Sequence, residues 1–295
     1  MAELRDCLYT IVAADRPMTV RQVFYQAVVA GLVAKTEVEY QATVARLLLE
    51  MRRAGRIPYS WIADNTRWMR KPNTYTGLAQ FIETHQQAYR RNLWADSETY
   101  VEVWVEKEAL AGVLLDVTAE FDVLLMVSRG FASESYLYSA ADVITDRLSA
   151  DGTAEQVVIY YFGDHDPSGL HISTSIEAGL RRLCGQMLEG GVDDNVLIFD
   201  RVAVTEQQIF TLALPSRPTK RAGNSHAKHW PDGRPSVELD AITPSDLRQL
   251  VRTCIERHID DHRLRTLRLV EDEERSQLQA LAAAGRRFPV RARES

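Results

Sequence analysis

At 295 residues, 45% hydrophobic and 26% charged, the chain can bury sizeable cores; its length predicts two domains and its composition excludes disorder as the main state. No apolar run approaches the ~20 residues of a membrane helix, and Arg5, Asp6, Asp15 and Arg16 around the short Leu8–Ala14 stretch exclude a signal-peptide layout. The net charge of −6 hides an uneven split, with 13 basic against 8 acidic residues in 1–95 and 22 against 33 beyond. A basic DNA-contacting front joined to a carboxylate-rich catalytic back has that pattern, as does ordinary variation between domains. Cys7, Cys184 and Cys254 are few and distant, which fits a reducing cytoplasm and excludes a disulfide framework or a CxxC zinc site.

The front of the chain reads as a helix-turn-helix. Thr19-Val20-Arg21-Gln22 is a capping box opening a helix with Val20, Val23, Phe24 and Val28 on one side, broken by Gly31. Thr36-Glu37-Val38-Glu39 is a second capping box; its helix runs to Arg53 with Val44, Leu47, Leu48 and Met51 as apolar stripe and Gly55 as stop. Ile57–Ile62 is then expected as the β-wing of a winged helix. Arg46, Arg52, Arg53 and Arg56 lie where a recognition helix presents cations to DNA phosphates.

A linker follows, with the turn Lys71-Pro72-Asn73 and one helix over Gly77–Arg91. Beyond it, short β-branched or aromatic runs at Val101–Val105, Val123–Val127, Val157–Phe162 and Val196–Phe199 alternate with helical segments near 107–119, 134–149 and 169–188. That alternation predicts an α/β domain with a mostly parallel sheet covered by helices, whose ligands sit at the carboxyl ends of the strands. A Pro/Gly/Lys-rich loop (Leu214–Arg234), a helix from Pro244 to His262, a charged helix over Glu271–Ala284 and a basic end, Arg286–Arg293, complete the chain. The expected division is a winged-helix domain (1–70), a linker helix (71–98), a catalytic sheet domain (99–270) and a charged tail (271–295).

The most informative segment is Tyr160-Tyr161-Phe162-Gly163-Asp164-His165-Asp166-Pro167-Ser168-Gly169. Two aspartates one residue apart at a strand's end repel each other unless a divalent cation lies near, and oxygen-only ligation favours Mg²⁺, with Mn²⁺ possible, over zinc. The alternative is a solvated turn in which Asp164 and Asp166 cap the next helix. Glu106 ends the Val101–Val105 run in the same setting: alone it is a helix-start acid, and with the two aspartates it becomes a general base or third metal ligand.

Glu106, the Asp164-x-Asp166 pair with Pro167 and Gly169, and Arg129-Gly130-Phe131 together resemble the Toprim fold of topoisomerases, primases and related nucleases. Val105-Glu106-Lys107-Glu108-Ala109 looks more narrowly like the catalytic A subunit of topoisomerase VI and its relative, the meiotic double-strand-break transesterase. Arg21-Gln22-Val23-Phe24-Tyr25 looks like that family's winged-helix signature, whose last tyrosine attacks DNA, and Glu238-Leu239-Asp240-Ala241-Ile242 is weakly similar to a segment near the end of its core. The resemblance covers roughly residues 15–255. It implies Mg²⁺-dependent cleavage of double-stranded DNA by a homodimer, in which Tyr25 of one subunit works with the Glu106/Asp164/Asp166 metal site of its mate and leaves a 5′ phosphotyrosine. It also implies a nucleoid-associated location. Only 24 residues precede Tyr25, whereas the A subunits dock an ATPase B subunit through a longer extension. The expectation is therefore a stand-alone "mini-A" protein of mobile elements, without ATP coupling.

Such chemistry needs an activated phenol, since a group near pKa 10 is a poor nucleophile at neutral pH. Arg21 precedes Tyr25 by one helical turn and could stabilise the phenolate or the transition-state phosphate. Tyr25 is otherwise a core aromatic beside Phe24. Lys107 either meets phosphate or is solvated. His165 is given no role, and His226, Lys228 and His229 belong to a solvated loop. Tyr59, Trp61 and Trp68 beside Arg56, Arg67 and Arg70 suit either nucleic acid or an inter-domain seam. Two rival functions stand beside the transesterase: a Toprim nuclease in which water attacks, and a non-catalytic winged-helix DNA-binding protein.

Overall fold

The four β-branched and aromatic runs form four strands, β1 (Thr99–Val105), β2 (Leu124–Val127), β3 (Gln156–Phe162) and β4 (Leu197–Ala203). They make one sheet in the order β2-β1-β3-β4, and every pairing is parallel. The structure, a computed structural model, describes residues 2–63, 74–149, 152–188, 191–219 and 225–287. Arg67, Trp68, Arg70, the Lys71-Pro72-Asn73 turn and the last residues of the basic end lie outside the described residues.

Strands buried on both faces read as continuous apolar runs, and the centre of this sheet is buried accordingly. On one face Trp104, Ile159 and Tyr161 pack with α6 (Glu134–Leu148) and α7 (Pro167–Met187) through Leu137, Ile144, Ile172, Ile176 and Leu180. The alternate residues Val101, Val103, Val105, Val158, Tyr160 and Phe162 are buried as well, and α5 (Glu108–Glu120) packs against β1 and β2. Each such large apolar side chain contributes about 1.5–3 kcal/mol on burial. The α/β expectation with a parallel, helix-covered sheet is met.

The front module is helical: α1 (Ala2–Asp15), α2 (Val20–Val29), a π-helical turn over Glu39–Ala45 and α3 (Arg46–Arg53). The first capping box forms as expected, with Gln22 N donating to Thr19 Oγ1 (3.1 Å) and Thr19 N to Gln22 Oε1 (3.0 Å). Gly55, at φ 70°, closes α3 while Arg56 N donates to Met51 O (2.9 Å). The β-wing over Ile57–Ile62 does not form. Residues Tyr59–Trp61 make a 3₁₀ turn instead, and Ile62 makes one parallel bridge with Met18. Ile57 and Ile62 are both buried, so this segment folds back onto the helices rather than extending as a hairpin.

Two compact units result, residues 1–67 with 96–255, and residues 68–95 with 256–295. This differs from the expected four-part division. Front module and sheet share one unit because ties of long sequence separation join them: Arg21 to Glu238 (3.0 Å), Lys35 Nζ to Pro215 O (2.9 Å) and Arg248 to Asp15 (2.6 Å). In the second unit the expected linker helix, α4 (Leu78–Ala88), packs with the helix Asp261–Arg287, which is one continuous helix starting ten residues before the expected tail. There Glu274 accepts from the Tyr89 hydroxyl and from Arg91, both at 2.7 Å.

Candidate functional site at the carboxyl edge of the sheet

Parallel pairing of β1 with β3 in the register Val105↔Phe162 delivers Glu106 and Asp164 to one edge. Glu106 N donates to Phe162 O (2.9 Å), and Asp164 N donates to Glu106 Oε2 (3.0 Å). Burial, reinforced by the Asp164 charge, pushes the Glu106 carboxyl up to about 7, and burial raises Asp164 as well. Two of the three expected acids are therefore neighbours, and the Asp164 charge disfavours ionisation of Glu106. The third, Asp166, is the N-cap of α7: its Oδ1 accepts from Gly169 N (2.8 Å), Pro167 fills the first helical turn, and its Oδ2 lies 3.7 Å from Arg217.

The close approach of α7 to β3 requires a glycine, because a methyl at Gly169 would overlap the Asp164 carbonyl oxygen. Gly169→Ala is expected to lower stability by about 1–3 kcal/mol in chemical denaturation. A change below a few tenths would show that the helix start yields freely.

Lys107 is the hub of the edge. Its ammonium lies 2.6 Å from Asp240 Oδ2, 3.0 Å from Asp164 Oδ1 and 3.3 Å from Glu238 Oε2. This placement is not that of a solvated lysine. Burial opposes its charge, yet the three carboxylates raise its pKa. Glu238 also accepts from Arg21 (3.0 Å) and Arg217 (2.6 Å). Burial alone would raise the Glu238 carboxyl, but the Lys107, Arg217 and Arg21 charges hold it at about 2. The segment carrying Glu238 and Asp240 is laid across the edge by backbone pairing of His165 with Val237 (2.8 and 3.0 Å) and by Leu239 N donating to Asp164 Oδ1 (2.8 Å). Arg201 secures the turn from below, donating to the carbonyls of Gly163 (3.1 Å) and Asp164.

Tyr25 is buried in α2, its ring edge-on to Phe24 (5.6 Å) and beneath the Lys35 ammonium (4.9 Å). Its hydroxyl bonds Glu238; burial and that carboxylate raise the phenol's pKa, and burial lowers Lys35 to about 8. Arg21 pairs with Glu238 and lies over the Tyr40 ring (4.9 Å). Of the four arginines expected at DNA, Arg52 lines a cleft of about 690 Å³ together with Arg21, Tyr40, Glu106, Lys107 and Arg129. Arg46 is engaged by Glu50 (2.8 Å), Arg56 by Asp6, and Arg53 is exposed.

Sequence reasoning missed Arg201, Arg217 and Lys35 and gave Glu238 and Asp240 no role. The repeated acid-x-acid spacing of Glu238-Leu239-Asp240 is the one signal that could have flagged the last two.

The hard oxygen donors of Glu106 and Asp164, adjacent and mutually repelling, suit Mg²⁺ or Mn²⁺. The full expected triad does not close: among the described residues no three Asp, Glu, His or Cys side chains are grouped to hold an ion. Lys107 stands against Asp164, and Asp166 is committed to its helix. No protein-family model matches the chain, and no curated protein matches it. Among the described residues no helix is long and apolar enough to cross a membrane.

Proposed function

We propose that this chain cleaves DNA phosphodiesters at the carboxyl edge of its sheet, in the manner of a topoisomerase VI A subunit, working as a homodimer and needing no ATP. The observation that carries the reading is the adjacent Glu106 and Asp164 pair, both carboxyls raised by burial and Glu106 further by the Asp164 charge, with Glu106 lining a cleft that also bears Arg21, Arg52, Lys107 and Arg129. Glu106 and Asp164, with Asp166 once released from its cap, would hold a divalent cation, which supplies charge neutralisation at the phosphate. The arginines bind and orient the DNA backbone. Tyr25 is the nucleophile in this reading: as its phenol oxygen bonds phosphorus and the 3′ oxygen leaves, its proton must pass to a base, and Glu106, pushed up to about 7, is the acid of the site basic enough to take it, whereas Glu238, held at about 2, is not.

One observation favours a second reading, a metal-dependent nuclease using water. Tyr25 is only 2% exposed, and its phenol is held in the protonated form; attack on DNA requires it to leave Glu238. The two are separated by incubating the protein with supercoiled DNA and Mg²⁺, denaturing, and looking for protein-linked 5′ ends. Transesterification yields such ends, and Tyr25→Phe abolishes both the ends and the breaks. Breaks without protein attached, undiminished in Tyr25→Phe, establish the nuclease instead. No breaks from either protein, with Asp164→Asn indistinguishable from both, leave a non-catalytic DNA-binding protein.

A further inference from the structure

A ring cluster unused by this chemistry stands beside the cleft. Phe131 follows Arg129 and Gly130, both of which line the cleft, on the loop after β2. Its ring is 5.6 Å from His171 in the second turn of α7 and 5.7 Å from His226 in the 3₁₀ turn Ser225–His229. The two histidine rings lie 4.2 Å apart at 31°. All three residues are exposed, Phe131 by 52%. Because β2 and β3 are parallel within one sheet, the loop after β2 and the start of α7 belong to the same edge as Glu106 and Asp164.

We infer that Phe131, His171 and His226 form a stacking platform for an unpaired nucleobase of the DNA strand in the cleft. Three rings already in mutual contact offer a further flat face without reorganisation, and base–aromatic stacking is sequence-tolerant because every base has a π-face. Imidazole nitrogens at the rim can also meet the polar edges of a base, which an aliphatic patch cannot do. Continuity with the cationic lining of Arg129 and Arg52 puts the platform where a strand held by its phosphates could lay down a base that is out of the duplex. A fully paired duplex has no free face to offer. The platform therefore discriminates unpaired from paired substrate, and this inference rests on the nucleic-acid reading above.

The test uses a single strand carrying 2-aminopurine and the same strand in a fully paired duplex, titrated with the full chain without divalent cation, so that nothing is cut. The parental protein should quench 2-aminopurine in the single strand on binding. Phe131→Ala should bind the single strand about ten-fold more weakly with the quench lost, while its affinity for the duplex changes less than two-fold. Phe131→Tyr, which keeps a ring, should retain both binding and quench. Equal weakening toward both DNAs, or no weakening toward either, overturns the platform and leaves DNA binding standing. Failure of the parental protein to bind either DNA overturns the nucleic-acid reading itself, and the platform with it.

Discussion

Lys107→Met should lower the unfolding free energy at pH 7 by about 3–5 kcal/mol, the cost of removing one partner from a buried ionic cluster. The methionine fills similar volume but leaves Asp164, Glu238 and Asp240 facing one another without the ammonium they share. Arg21 and Arg217 still serve Glu238. Asp240 has no such reserve: its Oδ2 loses a 2.6 Å contact and its Oδ1 already lacks a partner among the described residues. The sign of the pH dependence follows. Carboxylates left together bind protons more readily in the folded variant than in its unfolded chain, so the deficit is greatest at neutral pH and shrinks as the acids protonate. Urea unfolding at pH 7 and pH 4 measures both. A deficit below about 1 kcal/mol, or one equal at the two pH values, would show that the cluster is effectively solvated.

Glu102→Gln addresses a carboxyl in the sheet rather than at its edge. Glu102 is fully buried in β1; its Oε2 accepts from Trp104 Nε1 (2.6 Å), while Oε1 has no partner among the described residues. Burial pushes the group up to about 7 from an ordinary 4.5, against hydrogen bonds from Trp104 and Tyr100 that pull the other way. A carboxyl raised in this way holds its proton in the folded state while the unfolded chain releases it. Stability therefore falls as pH rises from about 4.5 to about 7 and is level beyond, a loss of roughly 3 kcal/mol. The glutamine variant should lack that part of the slope, so it gains on the parent by this amount between pH 5 and 8. Glu106 titrates in the same window, which is why the difference between the two profiles, rather than the parental profile alone, isolates Glu102. Parallel profiles would falsify the assignment.

The sheet was legible because each strand is a short, nearly unbroken β-branched or aromatic run, and burial on both faces leaves little room for anything else. The Thr19 capping box and the Gly55 stop were legible for a similar reason, being local hydrogen-bond and φ requirements written into a few adjacent residues. The wing was misread because Ile57 and Ile62 carry a strand-like apolar signal that a compact turn against the helices satisfies equally well. At the site, Glu106 and Asp164 could be anticipated from their positions after strands. Whether Asp166 serves a cation or a helix start is invisible in the string Asp-Pro-Ser-Gly, which suits both. Lys107 meets Glu238 and Asp240 across 131 and 133 residues, a separation over which no periodicity carries information.

The ion pair of Arg21 with Glu238 spans 217 positions, and this has a bearing on biosynthesis. At ribosomal speeds of about 5–20 residues per second, the helix bearing Tyr25 emerges roughly ten to forty seconds before the acid that caps its phenol exists. During that interval its apolar side has only the neighbouring helices to rest on. Ribosome-stalled chains ending before residue 238 should be digested by protease within residues 1–63, and chains long enough to expose residues 236–255 should not.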